Sequence, residues 1–364
     1  IKLLLMHLSE ENDQSDSRES LNPKIRQEGV GRKKQLSFET YLDGIKAGDR
    51  TVLARAITLV ESFNPQHQQL AQQLIEACLL LASVSVRIGI TGAPGVGKST
   101  FIETFGQELI RQGKKVAVLA IDPSSQLSKG SILGDKTRMV KLSTDENAFI
   151  RPSPTGDTLG GVARKTRETI ILCEAAGFDI ILIETVGVGQ SEIAVRSMVD
   201  FFLLLLLPGA GDELQGIKRG IVEMADMIVV NKADGERVPL AQNARRAYRN
   251  ALHLFPPRES GWTPPVELCS SLENSGISTI WESIESYRTF TLENGFFEKN
   301  RGQQATFWLK ESIQNRLTML FFENESIKEA YAKMEAAVLK GEKNPFFAAE
   351  KLIKLFRQQK EDDF

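Results

Sequence analysis

The chain has 364 residues, 41% of them apolar and 25% charged, with 28 glycines and 13 prolines. These are ordinary globular proportions, which exclude a disordered chain, a fibrous repeat and a disulfide-stapled miniature; the length suits one nucleotide-sized domain with helical additions, or two domains. Forty-five Lys and Arg against 47 Asp and Glu leave a net charge of −2, so no global field draws nucleic acid or anionic lipid.

Residues 1–20 carry five acids and two bases and no long apolar run. Transit peptides are Arg-rich and acid-poor, so a cytoplasmic location is expected. The chain opens on Ile1, with Met6 a candidate start. The stretch to Gln35 is polar and then basic (Lys24, Arg26, Arg32, Lys33, Lys34), which reads as a mobile arm over residues 1–37, a solvated tail in its simplest form.

From Phe38 the pattern turns helical: Val52, Leu53, Ala56, Ile57, Leu59 and Val60 share one face, and Asn64-Pro65 is a cap and first-turn pair for a helix carrying Leu70, Leu74, Cys78 and Leu81. A helical extension over 38–84 is expected. Apolar runs at Val86–Ile90, Val116–Ile121, Ile180–Ile183, Phe201–Leu207 and Met227–Val230 then alternate with helical segments from Lys98 and around Val162–Ala176. Continuous apolar strands alternating with helices mean an α/β domain, here 85–284, with a mostly parallel sheet covered by helices on both faces. The longest run, Phe201–Leu207, is seven residues, too short for the roughly 20 that span a bilayer, so no membrane insertion is expected. Beyond Gly276 helical periodicity returns, with Ile327, Ala330, Tyr331, Met334, Ala337 and Val338 on one stripe and a new start at Asn344-Pro345. That stripe, within a helical region 285–364, fits intramolecular packing and a partner surface equally.

Cys78, Cys173 and Cys269 are far apart in apolar surroundings, and His7, His67 and His253 are scattered. The cysteines read as core thiols, and neither structural zinc nor a Ser–His triad has the material it needs.

The most specific segment is Gly92-Ala93-Pro94-Gly95-Val96-Gly97-Lys98-Ser99-Thr100, between a strand and a helix. It fits G-x-x-x-x-G-K-[ST] in the context that motif requires. Its glycines let successive N–H groups and the helix N-terminus surround phosphates, Lys98 supplies a point charge, and Ser99 offers an oxygen to Mg²⁺. The expected fold is a P-loop NTPase. Asn231-Lys232-Ala233-Asp234, at the end of a strand, selects the base. The Asp234 carboxylate can accept from both N1–H and the 2-amino group of guanine, and adenine offers neither, which points to GTP over ATP. Cys269-Ser270-Ser271-Leu272 follows the next apolar run and is a candidate source of backbone donors to the guanine oxygen; a plain loop accounts for it as well.

Three acids qualify as metal ligands. Asp122 and Glu184 close strands, in Asp122-Pro123-Ser124-Ser125 and Glu184-Thr185-Val186-Gly187, while Asp135 lies in a long polar loop where a solvated acid fits equally. Gly187 would donate its N–H to the γ-phosphate. Val188 stands where Ras-like enzymes carry the water-orienting Gln, so slow unaided hydrolysis is expected. Gln190 is a weaker substitute; Lys218 or Arg219, in the Gly-rich loop after Leu207, would stabilise transition-state charge, although exposed helix-start residues explain the pair equally.

The P-loop, Asp122–Ser125, Glu184–Glu192, Gly211–Lys218 and Asn231–Asp234 together resemble the MeaB/ArgK family of GTPases, over roughly residues 38 to 358. The resemblance implies a G-protein chaperone that gates adenosylcobalamin delivery to an acyl-CoA mutase, chiefly methylmalonyl-CoA mutase, and protects it. It implies Mg²⁺ among Ser99, Asp122, Asp135 and Glu184, and nucleotide contacts from residues 92–100, Gly187, Asn231, Lys232, Asp234 and Ser270–Leu272. Lys98, Glu184 and Lys218 become the catalytic candidates, with Lys218 in a third switch, and the C-terminal helices become a homodimerisation arm. No histidine sits in D-x-H-x-x-G, the mutase's own cobalamin-ligating pattern, so cobalamin is handled through the partner complex. Ser271 departs from the family, where Ala is common. Two other readings stand: an ATP-using kinase of a lysine/arginine/ornithine transport system, and a regulatory module in which turnover is immaterial.

Overall fold

Short, mostly apolar segments form the strands: β1 (Val86–Gly92), β2 (Val116–Ile121), β3 (Ala148–Arg151), β4 (Ile180–Thr185), β5 (Phe201–Leu206), β6 (Met227–Val230) and β7 (Val266–Leu268). A computed structural model describes residues 35–62, 64–121, 139–152, 159–185, 191–209 and 219–361. The larger of its two units is Phe38–Phe364; the arm read over 1–37 falls almost wholly outside the described residues. The strands form one seven-stranded sheet in the order β3-β2-β4-β1-β5-β6-β7, parallel at every pairing.

Helices α1 (Phe38–Lys46), α2 (Arg50–Glu61) and α3 (Pro65–Leu79) precede the sheet. Between strands come α4 (Lys98–Arg111), α5 (Val140–Thr144), α6 (Leu159–Ala175), α7 (Ser191–Arg196), α8 (Arg219–Met224) and α9 (Val238–Leu252). The chain closes with α10 (Ile277–Glu293), α11 (Phe296–Phe322), α12 (Glu325–Leu339) and α13 (Pro345–Glu361). Side-chain oxygens of Asp49, Asn64 and Asn324 accept N–H groups of the first turns of α2, α3 and α12, each cap contributing about 1 kcal/mol.

Because strand side chains alternate in direction, Val86, Ile88 and Ile90 of β1 join Leu203, Leu205, Leu182 and Val118 on one face, packed against Phe101 and Phe105 of α4 and Trp281 and Ile284 of α10. On the other face α6 lies against β2 and α7 against β1. The α7 contact needs Gly89: a Cβ there would stand 2.7 Å from Val195 and 2.8 Å from Phe202. Helices α2 and α3 extend this layer by packing on α6. Strand β3 is absent from the apolar runs read in the sequence, since it has only four residues and ends on Arg151; that guanidinium, at the sheet edge, is paired with Glu61 of α2.

The opposite, N-terminal edge of the sheet carries a repeated device. Asp179, Asp200 and Asp226 each precede a strand, donate a backbone N–H to the carbonyl of a neighbouring strand's first residues, and take the N–H back on the carboxylate. The partners are Lys115 (2.9 and 2.8 Å), Arg87 (2.8 and 2.9 Å) and Phe202 (2.7 and 2.9 Å). Helix α11 is tied to this edge: Arg301 donates to both oxygens of Asp200 at 2.8 and 2.7 Å, Gln304 to Val199 O at 2.7 Å and the Trp308 indole to Ser197 O at 2.8 Å.

Candidate nucleotide site

The strand order reverses around β1, whose neighbours are β4 and β5, and the segment leaving β1 at that point is the Gly-rich loop. Ligands of open parallel sheets bind there. Gly92 is required by crowding, for a Cβ would come within 2.5 Å of the Leu205 carbonyl oxygen on β5. Gly97 takes φ 93° as the N-cap of α4, a left-handed conformation that favours glycine, and its missing side chain leaves room for Asn231 Nδ2, which a Cβ would meet at 2.9 Å. Lys98 opens α4 and folds back to donate from Nζ to Gly92 O at 2.8 Å and Ala93 O at 3.4 Å. Burial pushes its pKa down while Glu184 and Glu192 oppose that shift. The α4 N-terminus, its curled loop and this cation together form an anion cradle.

Asn231 joins the loop to the base-reading motif. Its Nδ2 donates to Val96 O at 2.9 Å, and its Oδ1 accepts from Ser271 N at 3.2 Å, Ser271 Oγ at 2.8 Å and Cys269 Sγ at 3.3 Å. Lys232 adopts φ 59°, a strained choice for a residue with a Cβ, and its Nζ donates to Gly95 O at 2.8 Å. Asp234 accepts from Ser270 Oγ at 2.7 Å and is paired with Arg237. The Ser270 hydrogen bond, then Arg237 and Lys232, hold its carboxyl below the usual aspartate range against burial.

Gly97, Thr100, Lys232, Asp234, Ser271 and Leu272 are among the residues that line a cavity of about 210 Å³. That is below the roughly 300 Å³ of sites for whole drug-sized ligands, and suits a planar base whose phosphates continue along the P-loop. Ser270 and Ser271 were expected to aim backbone donors at the base. Here the Ser270 N–H goes to Ser275 O at 3.1 Å and the Ser271 N–H to Asn231, so both residues frame the motif instead. Arg237 and Thr104, whose Oγ1 donates to Ser271 O at 2.9 Å, belong to no motif in the sequence; for Arg237 the local signal is its three-residue spacing from Asp234.

Glu184, the penultimate residue of β4, lies beside Ile90 of β1, is buried, and accepts from Ser99 Oγ at 3.4 Å. Two of the candidate metal-site residues therefore adjoin at the phosphate end. Asp122, Asp135, Gly187 and Lys218, with Val188 and Gln190, lie outside the described residues. Among the described residues no three His, Cys, Asp or Glu side chains gather as a metal site, and no helix is long and apolar enough to cross a membrane.

A parallel sheet with a P-loop at its switch point, braced by an Asn-Lys-x-Asp motif, defines a P-loop NTPase. The family described as methylmalonyl Co-A mutase-associated GTPase MeaB matches residues 53–326. The GTPase ArgK of Escherichia coli is 45% identical over 315 residues, covering 86% of this chain and 95% of that protein. The mouse (Mus musculus) protein named methylmalonic aciduria type A homolog, mitochondrial, is 46% identical over 342 residues, covering 91% of this chain and 82% of its own. A crystal structure described as a LAO/AO transport system kinase superposes with a TM-score of 0.70 at 38% identity, covering 89% of this chain and 100% of that one. The chain belongs to the MeaB family and is a GTPase.

Proposed function

We propose that this GTPase is a G-protein chaperone that gates adenosylcobalamin delivery to methylmalonyl-CoA mutase and protects that enzyme. The observation that carries the nucleotide half of the reading is the Asn231 bridge between Val96 of the P-loop and Ser271, beside a cavity of about 210 Å³ that Asp234 also lines. The mutase half is supported by the family's description and by the mouse relative's name.

In this reading Lys98 and the backbone of residues 92–100 neutralise the phosphates, and Asp234 pairs with the guanine edge while Asn231 and Lys232 hold the loop, with Ser270–Leu272 closing the base cavity. Mg²⁺ takes few protein oxygens and keeps several waters; the Ser99 hydroxyl beside the Glu184 carboxylate suits that preference, and these two with Asp122 and Asp135 would hold it. When bound, the ion offsets phosphate charge. Gly187 donates to the γ-phosphate, and Lys218 supplies the transition-state charge that compensates for Val188 in place of Gln. Cobalamin is handled within the mutase complex. Residues 38–84 form a helical extension, 85–284 the GTPase domain and 285–364 a homodimerisation arm.

The test is steady-state GTP hydrolysis by the full chain, alone and with methylmalonyl-CoA mutase titrated in. The expected result is a slow basal rate accelerated saturably by the mutase, with the acceleration lost in Lys218→Ala. Full stimulation of Lys218→Ala would overturn the role of that lysine, and a mutase that neither binds nor stimulates would overturn the chaperone reading. The structural relative described as a transport system kinase favours one second reading, ATP-dependent phosphotransfer. ATP displacing bound guanine nucleotide at comparable concentration would support it, whereas a base-pairing role for Asp234 would penalise adenine. Mutase protection that persists in Lys218→Ala would instead mark a module in which turnover is immaterial.

A further inference from the structure

At the end of the sheet opposite the P-loop, the residues around the start of β6 line a cavity of about 530 Å³, well inside the range of small-molecule sites. Arg196 at the end of α7, Asp226 before β6, and Arg258 and Trp262 from the α9–β7 connection line it, with Phe255 and Phe296. None of these groups serves the nucleotide site.

Away from solvent the charges are unequal in number. Asp226 is 1% exposed, and its carboxylate is fully committed: Oδ2 accepts from the Phe202 amide at 2.9 Å and Arg196 Nη1 at 2.6 Å, Oδ1 from Arg258 Nη1 at 3.1 Å and Arg196 Nη2 at 3.5 Å. Two guanidiniums thus share one carboxylate. Arg258 also donates to Glu223 O at 2.8 Å, yet each guanidinium carries five donors and stays charged in proteins. The other ionisable side chains of the lining compensate little: Glu223 and His253 are exposed, and Glu259 is paired with Lys299 at 2.8 Å. Among the described residues two guanidiniums therefore face one buried carboxylate, in a recess lined by polar groups and by aromatic and proline side chains. Trp262 is held rigidly there, its indole N–H on Asp226 O at 3.0 Å and its ring edge-on to Tyr287 at 5.4 Å.

We infer that this cavity binds a small organic mono-anion, a carboxylate on an apolar or aromatic body, with Arg196 and Arg258 gripping the carboxylate and Trp262, Phe255 and Phe296 holding the body. Guanidinium pairs match carboxylate geometry bidentately. The aromatic side chains suit an organic body, which inorganic phosphate lacks, and the second charge of phosphate would meet Asp226 and Glu223.

The experiment titrates phenylacetate into the full chain and reads Trp fluorescence, with Trp262→Phe assigning the signal. Phenethyl alcohol tests the charge and inorganic phosphate tests the apolar body. The expected result is saturable millimolar binding of phenylacetate alone, weakened about tenfold or more in Arg258→Gln, as loss of a charged hydrogen bond requires, with fluorescent GDP affinity unchanged. Should Arg258→Gln fail to fold, Phe296→Ser is expected to weaken phenylacetate binding in its place. Equal binding of the alcohol or of phosphate, unaltered binding in a folded variant, or no saturable phenylacetate binding would each overturn the proposal.

Discussion

Asn231 shows how much one side chain can organise. Its amide serves the P-loop carbonyl of Val96 and three donors of the Cys269–Ser271 segment while itself only 1% exposed. Asn231→Ala strands these partners, and leaving buried groups unpaired costs about 1–3 kcal/mol each. The expected outcome is a melting temperature several degrees lower and at least tenfold weaker binding of fluorescent GDP, read by thermal melts and titration. Asp234 makes a pH prediction. Its folded pKa lies below the 3.8 of a free aspartate, chiefly through Ser270. A depressed pKa means that the hydrogen-bonded carboxylate contributes in full above the unfolded value and is lost only as pH falls through the folded one. GDP affinity should show no Asp234 titration between pH 8 and 5, and Ser270→Ala should shift the acid-side loss to higher pH.

Among elements, the aspartates that precede strands are ranked by surroundings. Asp179 is exposed and its carboxylate accepts the Lys115 N–H, whereas Asp200 is 2% exposed and its carboxylate also receives two donors of Arg301 from α11. Removing one partner of a buried pair costs about 3–5 kcal/mol because the other charge is left uncompensated. An exposed hydrogen bond is worth about 1 kcal/mol. Chemical denaturation should therefore place Asp200→Ala several kcal/mol below the parent and Asp179→Ala within about 1 kcal/mol of it; equal losses would show that α11 adds nothing to the clamp.

For the whole molecule, the sheet separates two regions of different chemistry, with the nucleotide cradle at its C-terminal edge and the salt-linked base of α11 at the other. Beyond α11 the helices α12 and α13 leave Leu339 83%, Phe346 81% and Phe347 60% exposed, beside an apolar cavity of about 410 Å³ lined by Phe321, Phe322 and Leu352. Exposed apolar side chains next to an apolar cavity suit a partner surface, in keeping with the proposed dimer arm. Phe346→Asp with Phe347→Asp is expected to convert a dimer to monomers in light scattering without lowering the melting temperature, since neither ring is buried within the chain.

The alternation of apolar strands and helices, and the P-loop within it, was legible in the sequence because each rests on local rules: a strand buried on both faces is apolar throughout, and a phosphate loop needs its glycines in fixed order. Strand β3 was not, since four residues ending in Arg151 acquire their identity only by pairing with β2 and Glu61. Likewise, the type of residue at 231 to 234 announced guanine, but not that Asn231 is the joint between two loops. Ser270 and Ser271 illustrate the limit, for their spacing suggested donors to a ligand and their neighbours in space turned those N–H groups inward. Chain order alone determined which groups this protein possesses. The sharing of Asp226 by two arginines more than sixty residues apart in sequence was decided by tertiary structure, because electrostatic pairing depends on distance in space.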